Sequence, residues 1–103
     1  MMKNIFENLE YPKGETQEKI DDLFSGKSFR VERILSGGQV SSEWYNQEKE
    51  EWVCLLQGEA KLEYENGNIL SLQKGDILFI PAHQKHKVIY TSEQCIWLCV
   101  FEK

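Results

Sequence analysis

Residues 74–90, KGDILFIPAHQKHKVIY, decide the fold. Lys74-Gly75 and Pro81 bracket the run Ile77–Ile80, which is rich in β-formers and too short for a helix. A second run, HKVIYTS, opens at His86, and strand alternation puts His86, Val88 and Tyr90 on one face.

Working outward, the same grammar repeats. EWVCLLQ, EAKLEYE and NILSLQ precede this stretch and CIWLCVFE follows it, with Gly58, Asn66-Gly67 and Ser92-Glu93 as breaks. Further back, KSFRVERIL alternates, with Phe29, Val31 and Arg33 on one side and Arg30, Glu32 and Ile34 on the other. That makes about seven strands in roughly seventy-five residues, the density of an all-β barrel or sandwich. Asn66-Gly67 predicts a hairpin between KLEY and ILSL through a type I′ turn, in which both central residues take positive φ.

Residues 1–27 read differently. QEKIDDLF carries Ile20, Leu23 and Phe24 at helical spacing before Ser25-Gly26, which predicts a short helix or turn packed on the outside of the barrel. The expected organisation is this N-terminal segment over residues 1–27 and one barrel domain over residues 28–103.

Seventeen acidic against twelve basic side chains give a net charge of −5, which repels phosphate backbones and anionic lipid surfaces. Neither nucleic acid nor a membrane is an expected partner. The N-terminal stretch has no long apolar run and no small-residue cleavage pattern, so a cytoplasmic location is expected. Cys54, Cys95 and Cys99 lie in apolar runs without zinc-like spacing and read as reduced core thiols. P-loop, dinucleotide-binding, GxSxG and HExxH signatures are all missing from the sequence.

Two segments, Gly38 to Gly58 and Gly75 to Tyr90, resemble the paired motifs of the cupin superfamily, G(X)5HXH(X)3,4E(X)6G and G(X)5PXG(X)2H(X)3N. Glu51 stands at the glutamate of the first motif, six residues before Gly58, while Trp44 and Asn46 replace both histidines. In the second motif Gly75, Pro81 and His86 match, His83 replaces a glycine and Tyr90 an asparagine. WYNQxxxEWVxLLQGxAxLE followed by KGDxLFIPAHxxHKV also resembles a group of short, single-domain bacterial cupins. The resemblance implies a double-stranded β-helix, or jelly-roll, barrel; it carries no substrate with it.

Metal-binding cupins hold a divalent ion with three histidines and one glutamate. The resemblance therefore implies Glu51 and His86 as metal ligands, with His83 as a third, for zinc, iron, manganese or nickel. Residues three apart on a strand point to opposite faces, so His83 joins His86 only through a turn after Pro81. Against this stands a simpler reading: His86 is a hydrogen-bonded interior histidine, Glu51 its partner and His83 a surface residue. Alternation groups Glu51 with Val53 and Leu55, and a carboxylate on an apolar face needs a partner. Trp44, Tyr45, Asn46, Gln47 and Tyr90 are the candidate ligand contacts, an aromatic wall beside amide hydrogen-bonders.

Three functions remain open on these residues. One is a small-molecule-binding barrel whose metal assists a reaction on a small metabolite. The second is a metal-free ligand-binding or sensing module, and the third a structural module with a filled interior, which a cavity of a few hundred Å³ would argue against. The aromatic strand faces and the small size lead to the expectation of a homodimer.

Overall fold

The computed structural model describes residues 4–14 and 16–103, which form eight strands and no helix. These are β1 (Glu18–Ser25), β2 (Phe29–Ser36), β3 (Glu51–Gln57), β4 (Ala60–Tyr64), β5 (Ile69–Leu72), β6 (Ile77–Ile80), β7 (His86–Thr91) and β8 (Cys95–Glu102). A five-stranded sheet in the order β1-β2-β8-β3-β6 packs on a three-stranded sheet in the order β5-β4-β7, and every pairing is antiparallel. This is the all-β barrel expected from the strand spacing.

Strand alternation divides the large sheet into two faces. The inner rows run Ile20, Ile34, Trp97, Leu55, then Glu32, Cys99, Val53, Leu78, then Arg30, Phe101, Glu51, Ile80. Val53, Leu55, Ile80, Trp97 and Cys99 meet Ala60, Leu62 and Leu72 of the small sheet in one buried cluster. Burying each of the larger aliphatic side chains contributes roughly 1.5–3 kcal/mol.

The helix predicted in QEKIDDLF does not form; β1 occupies that stretch and pairs with β2 along the sheet edge. Ile20 and Phe24, four apart, satisfy a helical and a strand period alike, and the unpaired edge of β2 supplies backbone partners that an isolated short helix lacks. A bulge at Leu23 then shifts the register, so that Ile20 faces the barrel interior while Phe24 pairs with Val31 on the outer face.

On the outer face Arg33 is 1 % exposed. Its guanidinium donates to Asp21 Oδ2 at 2.7 Å and to the carbonyls of Ile5, Glu7 and Asn8, fastening residues 5–8 across the sheet. Pro12 presses on Gly37, where an added Cβ would lie 1.7 Å from the proline carbonyl.

The β4–β5 hairpin forms where expected, but only Gly67 takes positive φ. Gly67 N–H donates to Tyr64 C=O, and Asn66 Oδ1 accepts from Asn68 N–H at 3.0 Å. The asparagine spends its side chain locally, and the turn is a longer hairpin loop closed by a left-handed glycine rather than type I′. Among the described residues no helix is long and apolar enough to cross a membrane.

Candidate functional site

The segment between β2 and β3 builds one wall of the site. Tyr45 and His86 exchange backbone hydrogen bonds, N–H to C=O, at 2.7 and 3.1 Å, and His83 N–H donates to Gln47 C=O at 2.7 Å. Residues 44–47 thus run extended beside the start of β7 and obey its alternation. Tyr45 and Gln47 line the barrel interior, while Trp44 lies under Lys87, 4.5 Å from its ammonium, and Asn46 Oδ1 is 3.4 Å from His83 Nδ1.

The interior opens into a cavity of about 290 Å³, lined by Glu51, His86, Tyr45 and Gln47 together with Glu18, Arg30, Glu32, Gln39 and an apolar wall that includes Val53, Leu62, Trp97 and Phe101. Glu18, Ile20 and Tyr45 are its exposed lining residues, so the mouth lies between β1 and the 44–47 segment. A cavity of this size leaves the barrel interior unfilled, with room for roughly ten water volumes.

Glu51 and His86 are 7 % and 4 % exposed. His86 Nδ1 lies 2.9 Å from the Gln84 carbonyl, which can only accept, so Nδ1 carries the proton and Nε2 is left toward the cavity with no partner among the described residues. Burial pushes the Glu51 carboxyl above its ordinary range; hydrogen bonds from the Gln47 amide and the Cys99 thiol and the nearby His86 pull it back, and Glu32 pushes it further up. Glu18, at the rim, is raised by desolvation and then by Glu32 and Glu51. Arg30 is tied to Glu32, with Nε 3.3 Å from Oε2, and its guanidinium covers the Phe101 ring at 4.2 Å.

Of the residues picked out in the sequence, Glu51, His86, Tyr45 and Gln47 therefore share one cavity. His83 does not: it sits exposed in the turn after Pro81 with φ of 64°, away from the cavity lining. Trp44 and Asn46 face outward. So does Tyr90, because a bulge at Ile89 pairs Tyr90 with Lys61 on the outer surface and breaks the alternation that would have aligned it with His86 and Val88. With the shorter, three-residue spacing of the first cupin motif, the two histidine positions fall on Tyr45 and Gln47, which are the residues that face inward.

Sequence reasoning missed Glu18, Glu32, Arg30 and Gln39 as cavity residues. The signal for two of them lay in KSFRVERIL, whose Arg30, Glu32 and Ile34 face becomes the inner one once Arg33 is held on the outside. Nothing in the sequence around Glu18 points inward as long as β1 is read as a helix.

The four positions that hold a metal in metal-binding cupins here offer one imidazole, one carboxylate, a phenol and an amide. That set does not fit a transition metal well, and no three His, Cys, Asp or Glu side chains are grouped to hold an ion among the described residues. Cys95 and Cys99 add no nucleophile: burial raises Cys95 to about 12 and Cys99 well above its ordinary value, so both stay protonated at neutral pH.

A family model described as the cupin domain matches residues 31–101. Among solved structures, a protein from Ralstonia eutropha JMP134 that carries the provisional name mannose-6-phosphate isomerase is 33 % identical, with a TM-score of 0.87 over 100 % of this chain and 98 % of that one. An RmlC-like cupin from Desulfovibrio desulfuricans superposes with a TM-score of 0.76 at 18 % identity over 99 % and 95 % of the two chains. A cupin superfamily protein from Desulfitobacterium hafniense DCB-2 does so with 0.73 at 20 % identity over 88 % and 82 %. No curated protein matches the chain. On the strength of the matched domain, the eight-stranded barrel and the shared motif positions, the chain belongs to the cupin family.

Proposed function

We propose that this cupin binds a small organic molecule in the cavity between its sheets, as a ligand-binding or sensing module that needs no resident transition metal. One observation carries the reading: Glu51 and His86, both more than nine-tenths buried, converge on a cavity of about 290 Å³ that joins polar side chains to an apolar wall. Buried polar groups set beside an apolar wall are what orient a small ligand. NMR titration with a mixed set of small acids, amines, alcohols and sugars tests it through the His86 and Trp97 signals. Saturable shifts that vanish when Val88→Trp fills the cavity support the reading; a set that moves no cavity signal contradicts it.

A metal-assisted reaction is the second reading, favoured by the placement of Glu51 and His86 at cupin ligand positions and on one cavity. Elemental analysis of untagged protein separates the two: stoichiometric metal lost in His86→Ala establishes the second, and substoichiometric metal the first. The isomerisation of a sugar phosphate, the activity in the name of the Ralstonia relative, finds little support in the cavity wall. Its guanidinium is already paired with Glu32, and three carboxylates would face the phosphate.

For partners, we propose a second copy of the chain. The outer row Phe24, Val31, Val100, Trp52, Phe79 crosses five strands without a charge, and Ile77 lies beside it. Phe24, Trp52, Ile77 and Phe79 are exposed, and a self-complementary apolar sheet face suits a two-fold contact. Three free thiols support a reducing compartment, in keeping with a cytoplasmic location.

A further inference from the structure

The cavity wall is rich in hydrogen-bond acceptors and poor in donors. Glu18, Glu32 and Glu51 bring three carboxylates to it from three different strands. Against them stands one permanent cation, Arg30, which Glu32 and the Phe101 ring already engage. An acidic cluster alone selects nothing, but two independent atoms ask for the same chemistry. Gln47 Oε1 is buried with no hydrogen-bond partner, its amide nitrogen being turned to Glu51. His86, 4 % exposed, has Nδ1 committed to the Gln84 carbonyl, so Nε2 is the ring nitrogen left for the cavity, an acceptor in the neutral imidazole. A buried acceptor left without a donor costs free energy, so a ligand that donates to it recovers that cost on binding.

We propose that the cavity selects a small organic cation bearing N–H donors, a primary ammonium or an amidinium on an apolar body, over neutral and anionic molecules of the same shape. The head group donates to the Glu51 carboxylate, Gln47 Oε1 and His86 Nε2, and the body packs against Trp97 and Leu62. The selectivity rests on the reading of the cavity as a small-molecule site. It goes beyond that reading in fixing the sign of the ligand's charge and the direction of its hydrogen bonds. A divalent metal shares the charge but not the donors, and a lone imidazole beside one buried carboxylate and two neutral oxygens serves it poorly.

Benzylamine, benzyl alcohol and benzyl phosphate share one apolar body and differ in the charge of the head. Titrated into the full chain and followed at the Trp97 indole and His86 signals, benzylamine is expected to saturate with a Kd at least about tenfold below that of the alcohol, and the phosphate to leave the cavity signals in place. The Glu51→Gln variant is expected to bring the amine-to-alcohol ratio toward one. Should that variant not fold, Glu32→Gln is expected to reduce the ratio in the same direction. Alcohol or phosphate binding as tightly as the amine overturns the charge selectivity and leaves the cavity as a binding site. A ratio unchanged in a folded variant also overturns it. None of the three moving a cavity signal overturns the selectivity and counts against the cavity reading as well, which the broader fragment set then decides separately. Manganese(II) broadening the His86 signals at lower concentration than benzylamine needs would assign the site to a metal and overturn the proposal.

Discussion

At the scale of single residues, two of the buried charged side chains, Arg33 and Glu51, are held in opposite ways. Arg33 is fully engaged, with Asp21 and three backbone carbonyls around its guanidinium. Arg33→Met should therefore cost about 3–5 kcal/mol in urea denaturation, because Asp21 and the carbonyls lose their donor together. Glu51 is the reverse case, a carboxylate whose burial outweighs the help of Gln47, Cys99 and His86. With its folded pKa above the unfolded one, the native state holds the proton more tightly. Its contribution to stability is full below the unfolded pKa and is lost as pH rises through the folded one, and Glu18 acts in the same sense. The urea midpoint should rise on going from pH 7 toward pH 5. Glu51→Gln should be more stable than wild type at pH 7 by about 1 kcal/mol and show a shallower rise, at the expense of the site. Strand parity made Glu51 legible in the sequence, because Val53 and Leu55 share its face. Glu32 was not, because its role depended on knowing which face of β2 turns inward, and both faces of KSFRVERIL mix apolar and charged residues.

At the scale of elements, bulges decide what alternation alone cannot. The extra residue at Ile89 sends Tyr90 outward, and the one at Leu23 separates Ile20 from Phe24. Neither leaves a compositional trace, since a bulge is a property of the pair of strands and not of either sequence. The same reasoning explains the missing helix: the partner that makes β1 a strand is the edge of β2, whose residues pair with it from Ser25–Arg30 at the turn out to Glu18–Ser36. Where a break was local and steric, the sequence reading held. Gly58 sits between β3 and β4 at φ of 93°, with Ser92 Oγ 2.5 Å from where a Cβ would be. Gly58→Ala combines backbone strain with a clash and should destabilise by about 1–3 kcal/mol in thermal or urea unfolding. β1, an edge strand hydrogen-bonded on one side only, should lose its amide protection well before β8, which is paired on both sides, in hydrogen exchange.

At the scale of the whole molecule, the barrel has a cavity inside that joins buried polar groups to an apolar wall, and an apolar face outside. The exposed row through Trp52 and Phe79 is where a second copy should sit. Light scattering at micromolar concentration should give the mass of a dimer, and Phe79→Glu that of a monomer with an unchanged far-UV spectrum; a monomeric wild type would contradict the two-fold contact. The interior matters more for function, since the family positions that elsewhere hold metal here hold Tyr45, Gln47, Glu51 and His86 around unfilled space. The most direct measurement is a crystal structure of the protein soaked with small organic fragments. The expected result is a bound molecule inside the barrel with a polar atom within hydrogen-bond distance of Glu51 or His86 Nε2. A barrel interior closed by its own side chains, or fragments bound only on the outer surface, would contradict the assignment of the cavity as the functional site.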